Sequence, residues 1–178
     1  NPMSALVGFV RPLVDGMDVA SAGELKLALD AGADPESIGF AGPGKREIEL
    51  RQAVASGVLL HVESARELRV LADVAQALGL PARVALRINP DFELRGAGMH
   101  MGGGPKPFGI DAEQVPELLR SMAQHGLAFE GFHVYPGSQN LRGEIIAESL
   151  RRSLDLVLRL AHDAPAPVHH VNLGGGWG

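Results

Sequence analysis

Short runs of apolar and β-branched residues alternate along the chain with longer stretches in which apolar residues recur every three or four positions. The short runs fall at Gly16–Ser21, Ser37–Ala41, Leu59–Glu63, Arg83–Asn89, Ala128–Tyr135 and His169–Leu173, each of strand length. The longer stretches predict helices: one opening with Glu24–Asp30, then Glu47–Ala55, Ala65–Leu78, Glu113–His125 and Ala147–His162. Leu68, Leu71, Ala72 and Ala75 make one such apolar stripe. Strand and helix in alternation, without hairpin signals, predict parallel strands joined by crossover helices. The fold class expected is α/β, a partial (β/α)8 TIM barrel. A whole barrel takes about 250 residues, or about 31 per unit, so the 178 residues here hold about six of the eight strands. A doubly wound sheet would also accommodate six strands, as a finished domain, and pattern alone leaves it open.

Composition narrows the function more than the fold. Hydrophobic residues make up 46% and charged residues 21%, as in an ordinary globular domain. The formal net charge is −5 and the basic residues are scattered singly or in pairs such as Arg151 and Arg152, which opposes a nucleic-acid partner. The absence of cysteine removes disulfides, thiolate zinc sites and cysteine nucleophiles, and accords with a cytoplasmic location. No apolar run approaches the ~20 residues of a membrane span, so no membrane partner is expected. The opening NPMSALVGFV has no basic leader and does not read as a signal peptide. It lacks an initiator methionine, and the chain closes on a glycine run, so both ends are expected to cut through a longer fold.

In either architecture ligands gather at the carboxyl ends of the strands, and the polar and glycine-rich strings collect there. They are Asp18 to Ser21, His61 with Glu63 and Ser64, Arg87 to Pro90, His133 to Asn140, and Asn172 to Gly176. Any one of them is explained by contact with water; Glu63-Ser64, with Glu67 three residues on, reads as a helix N-cap. Two carry more. Gly174, Gly175 and Gly176 follow an apolar strand and expose backbone N–H groups, which suits an anionic phosphate, although a tight turn explains them too. Gly137 and Ser138 offer a similar donor plus a hydroxyl, so two adjacent strands could grip one phosphate.

Other motifs lead nowhere. Gly39 to Lys45 fits the GxxxxGK of a P-loop, but Arg46 stands where Ser or Thr is needed and Pro43 removes an amide. The loop at Gly102–Gly104 reads as mobile and able to lie over the site. His61, His133, His169 and His170 lack the helical spacing of a metal site, so no metal is assigned; His133 and His169 could face one another across adjacent strands, but they read first as satisfied core histidines. Ser138 is not in a nucleophile elbow.

Five strings together resemble a known family: DVASAGEL at Asp18–Leu25, RINP at Arg87–Pro90, FGI at Phe108–Ile110, GFHVYPGSQ at Gly131–Gln139 and VNLGGGWG at Val171–Gly178. They occur in this order in the fold-type III pyridoxal-phosphate (PLP) decarboxylases, which include diaminopimelate and ornithine decarboxylases. FAGPGK at Phe40–Lys45 and MGGGPKPFGID at Met101–Asp111 are similar to the decarboxylases associated with the bacterial exosortase A system. The resemblance covers the whole chain. It implies an alanine racemase-like PLP-binding barrel over residues 1–178, followed in the intact protein by a β-domain, with an amino-acid substrate and active sites shared across a homodimer. It also implies that Gly174, Gly175, Gly176 and Ser138 bind the cofactor phosphate, that Asp18 lies near the Schiff base, and that Arg87 lies on the inner face close to PLP.

His133 matches the first histidine of the family's HxHxGS pattern. Tyr135 stands where most members stack a second histidine on the pyridine ring; a phenol keeps the stacking but not the imidazole's proton chemistry. The family's Schiff-base lysine lies in a KANP-type string, and this chain begins at Asn1-Pro2, so it is expected to start two residues after that lysine; Lys45 is no substitute. The family's EPGR glutamate segment is also missing, so the expectation is an amino-acid decarboxylase whose barrel piece does not catalyse alone. A racemase on the same fold and a non-catalytic homologue that binds partners remain the alternatives.

Overall fold

The computed structural model describes residues 3–92, 99–100, 107–138 and 141–175. Helix α1 (Ser4–Val10) leads into β1 (Met17–Val19), α2 (Ala22–Asp30), β2 (Ile38–Phe40), α3 (Glu47–Ser56), β3 (Leu59–Val62), α4 (Ala65–Leu78) and β4 (Arg83–Asn89). Two-residue strands β5 (Met99–His100) and β6 (Ile110–Asp111) come next. The chain then runs through α5 (Val115–His125), β7 (Ala128–Val134), the short β8 (Gly137–Ser138), α6 (Gly143–Ala161) and β9 (His170–Asn172).

The main sheet runs β1-β2-β3-β4-β7-β9, with β6 also paired to β4, and every described pairing in it is parallel. Neighbours in space follow chain order without the reversal that defines a doubly wound sheet, so that alternative fails. The sheet also curls. β1 and β9 lie five strand positions apart, about 24 Å in a flat sheet, yet Asn172 Nδ2 donates to Asp18 Oδ2 at 2.9 Å. The architecture is a half-barrel. All six strands read from the pattern are present; against the all-parallel expectation, β5 and β8 pair antiparallel in a separate ribbon.

The two faces of the curl have different chemistry. Ile38, Phe40, Leu60, Val62, Val84, Leu86, Ile88, Phe132 and Val134 alternate along the strands and pack with Leu50, Leu68, Leu71, Leu119, Met122 and Leu156 of the helices in one buried core. The intervening positions, Gly39, His61, Ala85, Arg87, Gly131 and His133, face the inner side at period two. They are small or polar, which leaves room there. Gly131 shows why: a β-carbon on it would run into the backbone of His170, its register partner on β9.

Helix starts follow the sequence closely. Ser21 Oγ accepts from Glu24 N–H, and Ser64 Oγ accepts from Glu67 N–H. α1 buries none of its residues. α6 begins a turn before the stripe that predicted it. Among the described residues no helix is long and apolar enough to cross a membrane. The Gly102–Gly104 loop lies outside the described residues.

Candidate functional site

Asp18 of β1, Arg87 of β4, His133 of β7, Tyr135 just beyond it, and Gly174 and Gly175 beyond β9 line one cavity of about 370 Å³. They come from four strands and meet at the carboxyl ends. The sequence brought these six forward separately; the curl of the sheet assembles them. Gly176 lies outside the described residues, and Ser138 sits on β8, beyond Tyr135.

The β9 side is built from backbone and one carboxamide. Gly174 has φ +74°, and a β-carbon there would strike the Tyr135 ring, so the turn needs glycine and lies against that ring. Gly174 N–H donates to Asn172 Oδ1 at 2.8 Å. The Gly174 amide is therefore engaged within the turn, whereas the Gly175 amide has no hydrogen-bond partner among the described residues. A β-carbon on Gly175 would meet nothing within 4 Å, so this position opens onto free space. Asn172 links that turn to Asp18, which is exposed to the cavity.

The opposite side is built from buried charge. Arg87 Nη1 donates to Glu63 Oε1 at 2.8 Å, and Gly42 N–H donates to the same oxygen at 2.5 Å. The Arg87 guanidinium also lies 5.2 Å from the centre of the Phe108 ring and 6.0 Å from that of Tyr135. Glu63 was expected as part of a helix cap. Ser64 does the capping, and Glu63 turns inward to Arg87 because a buried guanidinium needs an anion more than a helix end does. Below this pair Lys45 Nζ meets Glu67 at 2.5 Å and donates to the carbonyls of Gly42 and His61. The Lys45 side chain is 1% exposed and its ammonium is committed to Glu67 and two carbonyls, unlike a P-loop lysine or a cofactor-bearing one. Burial raises the Glu67 carboxyl, with the Lys45 charge acting against that shift.

The inner face carries a histidine cluster. His61 Nδ1 and His133 Nδ1 are 2.8 Å apart, so one ring donates and the other accepts, in complementary neutral tautomers. Burial holds both below their ordinary value, with neighbouring positive charges adding to it: His61 falls well below, and His133 is lowered to about 3. His169 is not the residue facing His133. It is exposed, and its N–H donates to Glu130 O, whereas the His170 ring lies 5.9 Å from that of His61. The reason is register: His133 pairs with Asn172 and Gly131 with His170. Among the described residues no group of three or more His, Asp or Glu side chains is arranged to hold a metal ion.

The sequence places Glu63 and Asn172 among the polar strand ends but does not show the roles they take here. The role of Asn172 could have been found from its place two residues before a glycine turn, where a carboxamide commonly accepts a backbone N–H. Nothing local marks that of Glu63, whose ligands come from far along the chain.

Comparison with known proteins gives the family of the chain. Residues 1–178 match the family model described as the pyridoxal-dependent decarboxylase, pyridoxal binding domain. The L-glutamyl-[BtrI acyl-carrier protein] decarboxylase of Niallia circulans is 40% identical over 92% of this chain and 39% of its own length. The diaminopimelate decarboxylase of Aquifex aeolicus is 36% identical over 97% of this chain and 42% of its own. Among solved structures, diaminopimelate decarboxylase from M. jannaschii in co-complex with L-lysine superposes with a TM-score of 0.90 at 28% identity, covering 100% of this chain and 42% of that one. The chain thus spans about two-fifths of the length of these relatives. With its half-barrel of parallel strands and a match over its whole length, the chain belongs to the pyridoxal-dependent decarboxylases, as their pyridoxal-binding domain.

Proposed function

We propose that this chain is the cofactor-holding half of an amino-acid decarboxylase, with the phosphate of PLP at the turn after β9. The observation that carries the reading is the Gly174–Gly175 turn beside Tyr135 and Arg87 on one cavity wall. The residues present fit the cofactor: an amide with no partner among the described residues and open space at Gly175 for an anion, an aromatic ring against the turn for a flat heterocycle, and a cation in Arg87. Ser138 and Gly176 complete the phosphate set in this reading.

Bound PLP supplies an electron sink that lets carbon dioxide leave from Cα of a substrate amine. This chain's own residues orient and shield. Gly175 N–H donates to the phosphate, while Gly174 shapes the turn that presents it. Tyr135 packs one face of the ring. His133, neutral at neutral pH, fills the floor of the cavity and leaves Arg87 as its positive group. Asp18, steadied by Asn172, keeps a carboxylate near the reacting end.

The substrate class in this reading is a free or carrier-bound amino acid, in keeping with the names of the relatives. On the strings at Phe40–Lys45 and Met101–Asp111 the reading extends to the exosortase-A-associated branch. A cytoplasmic homodimer is the form in which we place the whole enzyme. The test is the full-length protein with Gly175→Asp, which sets a carboxylate against the phosphate. PLP affinity by equilibrium dialysis is expected to fall by about tenfold or more, ~1.4 kcal/mol; unchanged affinity removes the phosphate assignment. Product analysis separates the chemistry: carbon dioxide and an amine support decarboxylation, loss of optical activity alone a racemase, and neither a binding protein.

A further inference from the structure

Three hydrogen-bond donors converge on Glu63 from three separate segments. Arg87 Nη1 and Gly42 N–H donate to Oε1, and Gly109 N–H donates to Oε2 at 3.2 Å. The Glu63 side chain is 2% exposed and that of Arg87 12%. Because every neighbour is a donor, only an acceptor-only group satisfies all of them. A carboxylate does so. A carboxamide of the same shape cannot, since either orientation sets its NH₂ against a donor. In so dry a place that mismatch is costly, and so is an unpaired guanidinium.

Arg87 is the member of this cluster that reaches ligand space. It lines the cavity beside Gly174 and Tyr135, and also a neighbouring one of about 350 Å³ over Ala41, Pro43 and Phe108. Glu63 lines neither. Its bond to Arg87 fixes the guanidinium between the two cavities. Its bonds to Gly42 and Gly109 hold the segments that wall the second one, next to Pro43 and Phe108.

We infer that Glu63 is the positioning residue of this rim. It sets where the Arg87 guanidinium meets a bound ligand, and it touches neither cofactor nor substrate. The inference rests on the reading of the rim as a PLP site. It concerns a residue that the local sequence presents as a polar strand end and part of a helix cap.

The test is a double-variant cycle in the full-length protein: wild type, Glu63→Gln, Arg87→Met and the pair, with Gly175→Asp alongside. Two quantities are read, the dissociation constant for PLP by equilibrium dialysis and the Tm of the cofactor-free protein. Glu63→Gln is expected to weaken PLP binding about tenfold, ~1.4 kcal/mol, and Arg87→Met at least as much. The pair should be no weaker than Arg87→Met alone, because Glu63 acts through Arg87. A lowered Tm with an unchanged dissociation constant overturns the inference and makes Glu63 a purely structural carboxylate. So does an effect of Glu63→Gln that persists in the Arg87→Met background. If Glu63→Gln does not fold, Glu63→Asp carries the same cycle, keeping the charge but withdrawing it by one carbon. Failure of the underlying reading is separately visible, since Gly175→Asp then leaves PLP binding unchanged.

Discussion

Around β3 and β4 the rim is held by buried charge: Arg87 against Glu63, and Lys45 against Glu67, beside strands whose apolar residues are all buried. Around β9 it is held by a glycine turn and one carboxamide, on a strand none of whose three residues is buried. The first side is assembled by folding, because removing those charges from water is tolerable only when each finds its partner. The second side is open, and its donors are backbone groups whose direction depends on a turn. A site built this way has a stiff wall and an adaptable one, with the anion expected on the adaptable side.

The largest break in that contrast is Glu67→Gln. It leaves the Lys45 ammonium buried against two carbonyls with no anion, and should cost about 3–5 kcal/mol of unfolding free energy in a urea titration. An effect below about 1 kcal/mol would mean that the stiff wall is not held by its charges.

Acid attacks the same wall through the histidines. His133 is lowered to about 3 and His61 also lies well below its ordinary value. The unfolded chain therefore takes up their protons first. The stability His133 contributes is full above about pH 6.5 and is lost as the pH falls toward 3, with a slope of about 1.4 kcal/mol per unit, and His61 acts in the same sense. Glu67, raised by burial, works in the opposite sense: its contribution is present at low pH and fades as the pH rises through its folded value. Urea midpoints measured across this range should drop toward acid, and His133→Asn should flatten the slope.

On the open wall the expected effects are smaller and concern binding more than stability. Asn172→Asp keeps an acceptor for Gly174 N–H but sets a carboxylate against Asp18, which should lower stability by about 1 kcal/mol or less in so exposed a place. Adding Asp18→Asn restores the hydrogen bond with its polarity reversed. The double variant should recover its Tm, and failure to recover would show that the Asp18–Asn172 bond does not organise the turn. Smallest of all, Val171→Ala on β9 should change stability by about 0.5 kcal/mol or less, whereas Phe132→Ala on the neighbouring β7, fully buried, should cost about 3–5 kcal/mol.

The elements that the pattern revealed are those that bury one face. β4 was read residue for residue, Arg83–Asn89, because its apolar side packs on helices and its ends meet polar loops. α1 gave no signal since it buries nothing, and β5, β6 and β8 are two residues long, too short for any period to show. In the site, Asp18, Arg87, His133, Tyr135 and Gly174 were legible as polar or glycine residues at strand ends. Their mutual distances were not. Glu63 shows the limit most clearly: Glu63, Ser64 and Glu67 make a good local cap signature, and its true partners lie 21, 24 and 46 residues away. Likewise the neighbour of His61 is His170 and not His169, a one-residue choice of register on β9 that alternates which side chain turns inward.

The central claim is that the turn after β9 receives the phosphate of PLP. The most direct measurement compares the affinity of the full-length protein for PLP and for pyridoxal, which lacks only the phosphate, by equilibrium dialysis in wild type and in Gly175→Asp. The account predicts that wild type prefers PLP by about a hundredfold, ~2.7 kcal/mol, and that Gly175→Asp loses most of that preference while binding pyridoxal nearly as well. Equal affinity for the two ligands in wild type, or a preference for PLP untouched by Gly175→Asp, would contradict it.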